Sequence, residues 1–497
     1  MTIYLNNAVC RISIGIMDNQ DVIPTLRGLM RLKPLNAFRV TRLMYSKGVT
    51  NYDPYRYFVS KKGEFGTGLL PRVLKTLDSL GVTYNIVDER VVTVNRVRTV
   101  KKLDGKTLAA HQLETLEKTF NQVVDGVSYI RGIWDLAPNS GKTLTSAALI
   151  ASLDNPVVLI LVDSRTIFSQ HAKDYGRIFG DYFGVFTKKN SHYKNKRVVL
   201  AMVQTLSATV NKDVNVKAWL KRVNVLIVDE VHNFAASVGR ASIIRYVDAY
   251  IKIGMSGTPF NQPEKTQRAT LMALFGDTIH KVSKKYLMDI GFSLEPQILI
   301  HRNPTVLFQP SRDYKDELTM LVHNSLKFNT LVAELALDYM IKGHRVLVVF
   351  DIIDHGRNIC DALSQYYDDY SYADGKIPTK DRIKAISDFT DGVTNILVAS
   401  TIVQEGWSVP DISVIIYTIG GKSDIRLSQF MARAERIDGV STEYIWVDFW
   451  HGGYYSQKHF RERLSAYRKE QFTNPIKFKY LCDNKGKPIL QNKKTNL

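Results

Sequence analysis

Two short stretches of this chain carry residue types suited to phosphate chemistry. The first is Leu136-Ala137-Pro138-Asn139-Ser140-Gly141-Lys142-Thr143, placed between an apolar run from Ile130 to Leu136 and a helix-like run from Leu144 to Leu153. A strand, a tight turn ending Gly-Lys-Thr and a helix make a phosphate cradle. Backbone N–H groups of the turn and the helix N-terminus face the anion, Lys142 reaches the β- and γ-phosphates, and the Thr143 hydroxyl can take a coordination place on Mg²⁺. Asn139, Ser140 and Gly141 complete the candidate loop. Leu136 stands where the usual pattern has its first glycine, and Gly-Lys-Thr alone is a common tripeptide. The second stretch, Asp229-Glu230-Val231-His232, supplies what the first lacks. An acidic pair at the C-terminal end of a buried strand can hold the Mg²⁺ of a triphosphate with Asp229 and orient the attacking water with Glu230. Two acids closing a strand in solvent is the bland alternative, and the lysine turn upstream weighs against it.

The elements that must position these residues are legible as patterns. Val157 to Val162, Val198 to Val203, Val225 to Val228 and Ile251 to Met255 are short β-branched runs separated by helical segments, which predicts a parallel sheet covered on both faces. A second alternating block follows with Val346 to Phe350, Ile396 to Ala399, Val414 to Tyr417 and Tyr444 to Val447, without a second phosphate turn. Residues 1–95 read as a small α+β domain, with strand-like Tyr55 to Val59 and Val82 to Val87 and an amphipathic helix from Leu69 to Leu80. Its Arg27, Arg31, Lys33, Arg39, Arg42 and Lys47 are interleaved with Tyr45, Tyr52 and Tyr55, a mixture suited to phosphate contact and base stacking, or else to a solvated surface. The expected division is residues 1–95, a first α/β lobe at 96–285 opening on a basic connector at 96–110, a second lobe at 286–455, and a basic extension at 456–497 whose last dozen residues are poorly ordered.

Of the 497 residues, 67 are Lys or Arg and 48 are Asp or Glu, a formal net charge of +19 with pI near 9.5. Such an excess suits a polyanionic partner, with general solubility as the alternative. No apolar run reaches the length of a membrane span, and the first residues lack the plan of a signal peptide, so a cytoplasmic protein with no membrane partner is expected. Cys10, Cys360 and Cys482 lie too far apart in sequence to form a C-x-x-C metal or cluster motif and read as reduced thiols.

In these residues the chain resembles a superfamily 2 helicase over about residues 105–450. Gln112 matches the adenine-contacting glutamine that precedes the first motif of that family. Val162 to Gln170, including Arg165, and Val203-Gln204-Thr205 fall where the family contacts the nucleic-acid backbone. Ser256-Gly257-Thr258-Pro259 sits at its coupling motif, Ala399-Ser400-Thr401 through Gly406 to Pro410 resembles motif V, and Gln429 to Arg436 resembles the Q-x-x-x-R-x-x-R of motif VI. The resemblance implies two tandem RecA-like parallel-sheet domains, ATP and Mg²⁺ as cofactors, and catalytic roles for Lys142, Asp229, Glu230, Arg433 and Arg436. It adds Gly406 and Gln429 to the nucleotide site and Thr143 with Asp229 as metal ligands. Arg165, Gln204, Thr205, His355 and Ser400 are its nucleic-acid contacts, to which the basic Arg42, Lys61 and Lys62 are added. The first motif lacks early glycines and the coupling motif is Ser-Gly-Thr-Pro, which argues against a DEAD-box RNA helicase.

Among subfamilies the chain is most similar to the UvsW-type bacteriophage DNA helicases. The likeness rests on Lys62-Gly63-Glu64-Phe65-Gly66-Thr67-Gly68-Leu69-Leu70, on Leu136 opening the first motif, and on the Phe-x-x-x-x-His-Gly stretch from Phe350 to Gly356. The implied activity is ATP-driven remodelling of branched DNA: forks, Holliday junctions or R-loops containing RNA–DNA hybrid, acting as a monomer. The alternatives are a duplex translocase of a restriction or repair complex, an RNA helicase, and a nucleic-acid clamp that does not hydrolyse ATP.

Overall fold

The computed structural model describes residues 1–16, 18–188, 191–235, 238–260, 264–307, 311–401, 412–421, 427, 430–431 and 444–479. The chain divides into two compact units, Met1–Ser283 and Lys284–Leu497.

The first unit is built on a seven-stranded, wholly parallel sheet in the order Phe183–Phe186, Val198–Met202, Val158–Val162, Val225–Asp229, Ile251–Ser256, Arg131–Leu136, Thr278–Val282. Val158–Val162 and Val225–Asp229 are buried at every position, as strands covered on both faces must be. That is why they read in sequence as unbroken apolar runs. The phosphate turn follows the strand Arg131–Leu136, and the acidic pair closes Val225–Asp229. The chain thus brings both stretches to the C-terminal ends of strands in one parallel sheet, the edge at which such sheets bind ligands.

The N-terminal residues form a four-stranded sheet in the order Glu64–Gly66, Val9–Ser13, Thr2–Leu5, Asn85–Asp88. The helix Leu70–Ser79 turns Leu70, Val73, Leu74 and Leu77 inward, the three- and four-residue spacing of one helix face. This module is seated on the helix Lys265–Phe275 of the first lobe. A Cβ on Gly66 would collide with the main chain at Ala273, and one on Gly68 with the carbonyl of Met272, so both positions require glycine. Tyr129 donates from its hydroxyl to Thr67 O at 2.7 Å, and Arg131 Nη2 donates to Asn7 O at 2.8 Å. The connector is packed as well: Val100 is buried, Val97 N donates to Ser152 O, and Arg96 pairs with Glu117.

The second unit repeats the architecture with a seven-stranded parallel sheet, ordered Ser371–Ala373, Ile396–Ser400, Val346–Phe350, Val414–Tyr417, Tyr444–Trp450, Pro296–Arg302, Lys477–Lys479. Successive residues alternate between faces. Leu347, Val349, Leu397, Ala399 and Ile415 enter one core, while Val346, Val348, Ile396, Val398 and Ile416 enter the other. Two tandem parallel-sheet domains with a small α+β module ahead of them is the architecture expected from sequence.

Part of the basic segment after residue 456 belongs to this second unit. The helix Tyr454–Lys469 buries Phe460, Arg463, Ala466 and Tyr467, and Lys477–Lys479 adds an edge strand beside Pro296–Arg302. Arg463 makes a bidentate pair with Asp448, from Nε at 2.9 Å and Nη2 at 3.0 Å, and Tyr467 OH donates to the same carboxylate at 2.9 Å. Among the described residues no helix is long and apolar enough to cross a membrane.

Candidate nucleotide and nucleic-acid site

Asn139 and Gly141 both take left-handed backbone conformations, with φ of 63° and 78°, and bend the chain sharply between strand and helix. Gly141 then leads into the helix Lys142–Ala151. A Cβ on Gly141 would collide with the Gln112 amide, so the turn is closed to any larger residue. Ser140 is fully buried, and its Oγ has no hydrogen-bond partner among the described residues.

Gln112 braces this turn from behind. Its Nε2 donates to Ser140 O at 3.1 Å, and its Oε1 accepts from Ala109 N at 2.9 Å. His111 Nε2 also lies 3.0 Å from Ser140 O. Gln112 is buried, so the geometry gives it the job of holding the loop. The adenine contact expected from sequence would have to share an amide already engaged at both ends.

Lys142 Nζ lies 3.5 Å from Leu136 O and 4.0 Å from Glu230 Oε1. The turn lysine and the acidic pair are therefore brought together as the sequence reading required. Glu230 sits in the left-handed region with φ of 46°, a conformation that costs energy for a residue with a side chain and that collects at functional sites. The Asp229 carboxyl is buried, which pushes its pKa up. The hydrogen bond from His171, the charge of Lys142 and the Glu230 N–H outweigh that burial and hold it below the usual carboxylate range. An ionised carboxylate at a strand end is a donor suited to a divalent cation.

His171 is the residue that sequence reasoning missed. It lies on the helix Arg165–Phe179, and its Nε2 is 2.7 Å from Asp229 Oδ2. One turn on, Tyr175 packs edge-on against the His171 ring, and its hydroxyl is 2.6 Å from Ser146 Oγ on the helix that follows the phosphate turn. The only sequence signal was a His and a Tyr four residues apart on one helix face.

The coupling motif is joined to the acidic pair. His232 Nδ1 is 2.9 Å from Ser256 Oγ and 3.3 Å from Glu230 Oε2, and Thr258 N donates to Ser256 Oγ at 3.1 Å. Gly257 lies so close to the phosphate loop that a Cβ there would meet Pro138 at 3.0 Å. The coupling motif therefore lies in direct contact with the acidic pair and close against the phosphate turn.

Of the expected nucleic-acid contacts, Arg42, Lys61, Lys62, Arg165 and Gln204 are exposed and Thr205 is half-buried. Gln204 donates to Asp163 O at 2.8 Å, and Arg240, not singled out from sequence, pairs with Asp163 Oδ2 at 2.8 Å. Ser400 ends the strand Ile396–Ser400 and is largely buried. His355 requires a correction. It has 0% exposure and packs against Phe328 and His323, so it presents no surface to nucleic acid. The Phe-x-x-x-x-His-Gly stretch has a packing reason instead: the Phe350 ring lies where a Cβ on residue 356 would be, which only glycine allows. Gly406, Gln429, Arg433 and Arg436 lie outside the described residues.

Two family models match the chain. Residues 105–261 match the res subunit of type III restriction enzymes, and residues 326–438 match the helicase conserved C-terminal domain, each within one of the two parallel-sheet units. One such match in each unit bears out the resemblance to helicases of superfamily 2. It is 27% identical over 337 residues to the ATP-dependent DNA helicase uvsW of Enterobacteria phage T4, a match covering 64% of this chain and 65% of that protein. It is 25% identical over 396 residues to the probable helicase D10 of Escherichia phage T5, covering 80% of this chain and 82% of that one. In fold it is similar to a fragment of a putative HsdR subunit of a type I restriction enzyme from Vibrio vulnificus, with a TM-score of 0.53 at 18% identity over 76% of this chain and 70% of that one. The first of these sequence matches spans just under two thirds of its relative.

Proposed function

We propose that this superfamily 2 chain is an ATP-dependent DNA helicase or translocase that remodels branched DNA such as forks, Holliday junctions and R-loops. The observation that carries the reading is the convergence of Lys142, Asp229 and Glu230 at one sheet edge. A magnesium nucleotide fits the residues there: Ser140 Oγ is buried without a partner among the described residues, Gly141 leaves room for the Gln112 amide that braces the turn, and Asp229 is held as the anion. Asn139 to Thr143 would hold the phosphates, Thr143 and Asp229 the Mg²⁺ ion, while Glu230 orients the attacking water. The bound nucleotide supplies the phosphoanhydride bond whose cleavage drives motion. Arg433 and Arg436, at the motif VI positions, would stabilise the charge of the transferring phosphoryl group.

DNA as the partner is supported by the net charge of +19 and by the named relatives from phages T4 and T5. Exposed Arg42, Lys61 and Lys62 on the N-terminal module would grip a duplex arm. Steady-state ATP hydrolysis at one fixed salt concentration tests this, comparing no nucleic acid, single-stranded DNA, linear duplex, a four-way junction and RNA, with Lys142→Ala as the blank. Strongest stimulation by the junction is expected. Equal stimulation by linear duplex would replace the branched-DNA reading with a plain translocase, and preference for RNA would overturn the DNA assignment.

A further inference from the structure

The second unit contains a group of side chains that neither the nucleotide chemistry nor the strand contacts use. His323 closes the single helical turn Thr319–His323, Asp351 directly follows the strand Val346–Phe350, and His355 lies in the first turn of the helix Ile353–Leu363. One nitrogen or oxygen from each of the three lies within 4.8 Å of the others. His323 Nε2 is 3.7 Å from Asp351 Oδ1, and the two imidazole centroids are 5.2 Å apart.

Both ring nitrogens of His355 and Nε2 of His323 are buried without a hydrogen-bond partner among the described residues. Three orphaned imidazole nitrogens in one small volume are costly, because a buried polar atom loses its water and gains nothing in return. Neighbouring backbone polar groups, by contrast, are well served. The His323 carbonyl accepts from Asn329 Nδ2 at 3.2 Å and from Asn358 Nδ2 at 2.8 Å, so this histidine is held in place by two amides while its ring nitrogen is left over.

We propose that His323, Asp351 and His355 form a binding site for a divalent first-row transition ion, with Zn²⁺ as the reference occupant. Two imidazoles and one carboxylate suit that class and disfavour Mg²⁺ and Ca²⁺, which prefer all-oxygen shells. Zinc bonds of about 2.0–2.2 Å put tetrahedral ligand atoms roughly 3.4 Å apart. The His323–Asp351 separation of 3.7 Å already approaches that, and side-chain rotation closes the remainder. Burial pushes His323 down to about 4 and His355 to about 3, so each ring is neutral near pH 7 and keeps a lone pair for a metal. Asp351 retains 27% side-chain exposure, which provides the entry path and an outer face for a water as fourth ligand. An ion there would tie the turn ending at His323 to the end of the central strand Val346–Phe350.

The test uses the full chain without a histidine tag, stripped with chelator and titrated with Co²⁺ as a spectroscopic stand-in and with Zn²⁺ by calorimetry. One equivalent is expected to bind, with the visible absorption of four-coordinate Co²⁺ and a rise in melting temperature. Asp351→Asn and His323→Gln should each weaken binding at least about 10-fold, the lower range for loss of ordered metal-site partners. Asp351→Asn is the decisive variant because its side chain is partly exposed and its circular dichroism should match the parent. A stripped parent that takes up no stoichiometric Co²⁺, or a folded Asp351→Asn that binds it as tightly as the parent, overturns the proposal.

Discussion

His171 and Asp229 are joined by a 2.7 Å hydrogen bond between Nε2 and Oδ2, although 58 residues separate them. The bond ties the helix opening on Arg165, an expected nucleic-acid contact, to the acid proposed to hold Mg²⁺. His171→Ala should leave Asp229 less firmly oriented and reduce ATP turnover about 10- to 100-fold. The Mg²⁺ concentration for half-maximal activity should rise with it, and His171→Gln should restore part of both. Unchanged Mg²⁺ dependence in His171→Ala would limit the histidine to packing.

The seating of the N-terminal module predicts a stability contrast between two glycines. Gly68→Ala drives a Cβ into the Met272 carbonyl and should cost about 1–3 kcal/mol, as overpacking does. Gly28→Ala, on the helix Val22–Leu29 with nothing within 4 Å of the new Cβ, should be neutral or slightly stabilising. Thermal melts of the two variants beside the parent check this.

Acid should loosen the second unit. Burial lowers His301 to about 4 and His451 to about 3, and Asn303 Nδ2 donates to His451 Nδ1 at 2.8 Å, which requires that nitrogen to be unprotonated. Below the ordinary histidine value of about 6.5 the unfolded chain takes up protons that the folded chain refuses. Stability therefore falls as pH drops from about 6.5 toward 4. Hydrogen exchange in Pro296–Arg302 and Tyr444–Trp450 should accelerate from about pH 7 to about pH 5, beyond the intrinsic effect of pH on exchange.

The basic C-terminal segment calls for two different truncations. Ending the chain after Lys479 removes Lys485, Lys487, Lys493 and Lys494 and leaves the edge strand in place. DNA binding should weaken, and the slope of log K against log salt should flatten by up to about 0.9 per lysine. Ending it at residue 456 removes Arg463 and leaves Asp448 buried and uncompensated, a loss of about 3–5 kcal/mol. That variant should misfold, which circular dichroism would show.

The sheets were legible because strands buried on both faces must be apolar throughout, as Val158–Val162 and Val346–Phe350 are. The meeting of Lys142 with the acidic pair Asp229 and Glu230 was legible because the phosphate site expected there asks for fixed residue types beside a turn and at a strand end. His171 was not, since nothing local marks a helix residue that reaches another strand. His355 misled because sequence records a residue's type and not which way the chain turns it. The helix Tyr454–Lys469 was read as a tail because Arg461, Arg463, Arg468 and Lys469 hide a buried stripe of Phe460, Arg463 and Tyr467 in which one member is itself charged.

Gly66 and Gly68 set the N-terminal module against main chain, and main chain has no rotamers to yield. The module therefore meets the first lobe as main chain against main chain at Ala273 and Met272. A duplex arm gripped by Arg42, Lys61 and Lys62 would be held by the same compact unit that carries the phosphate turn, as a tool head is carried by its shank.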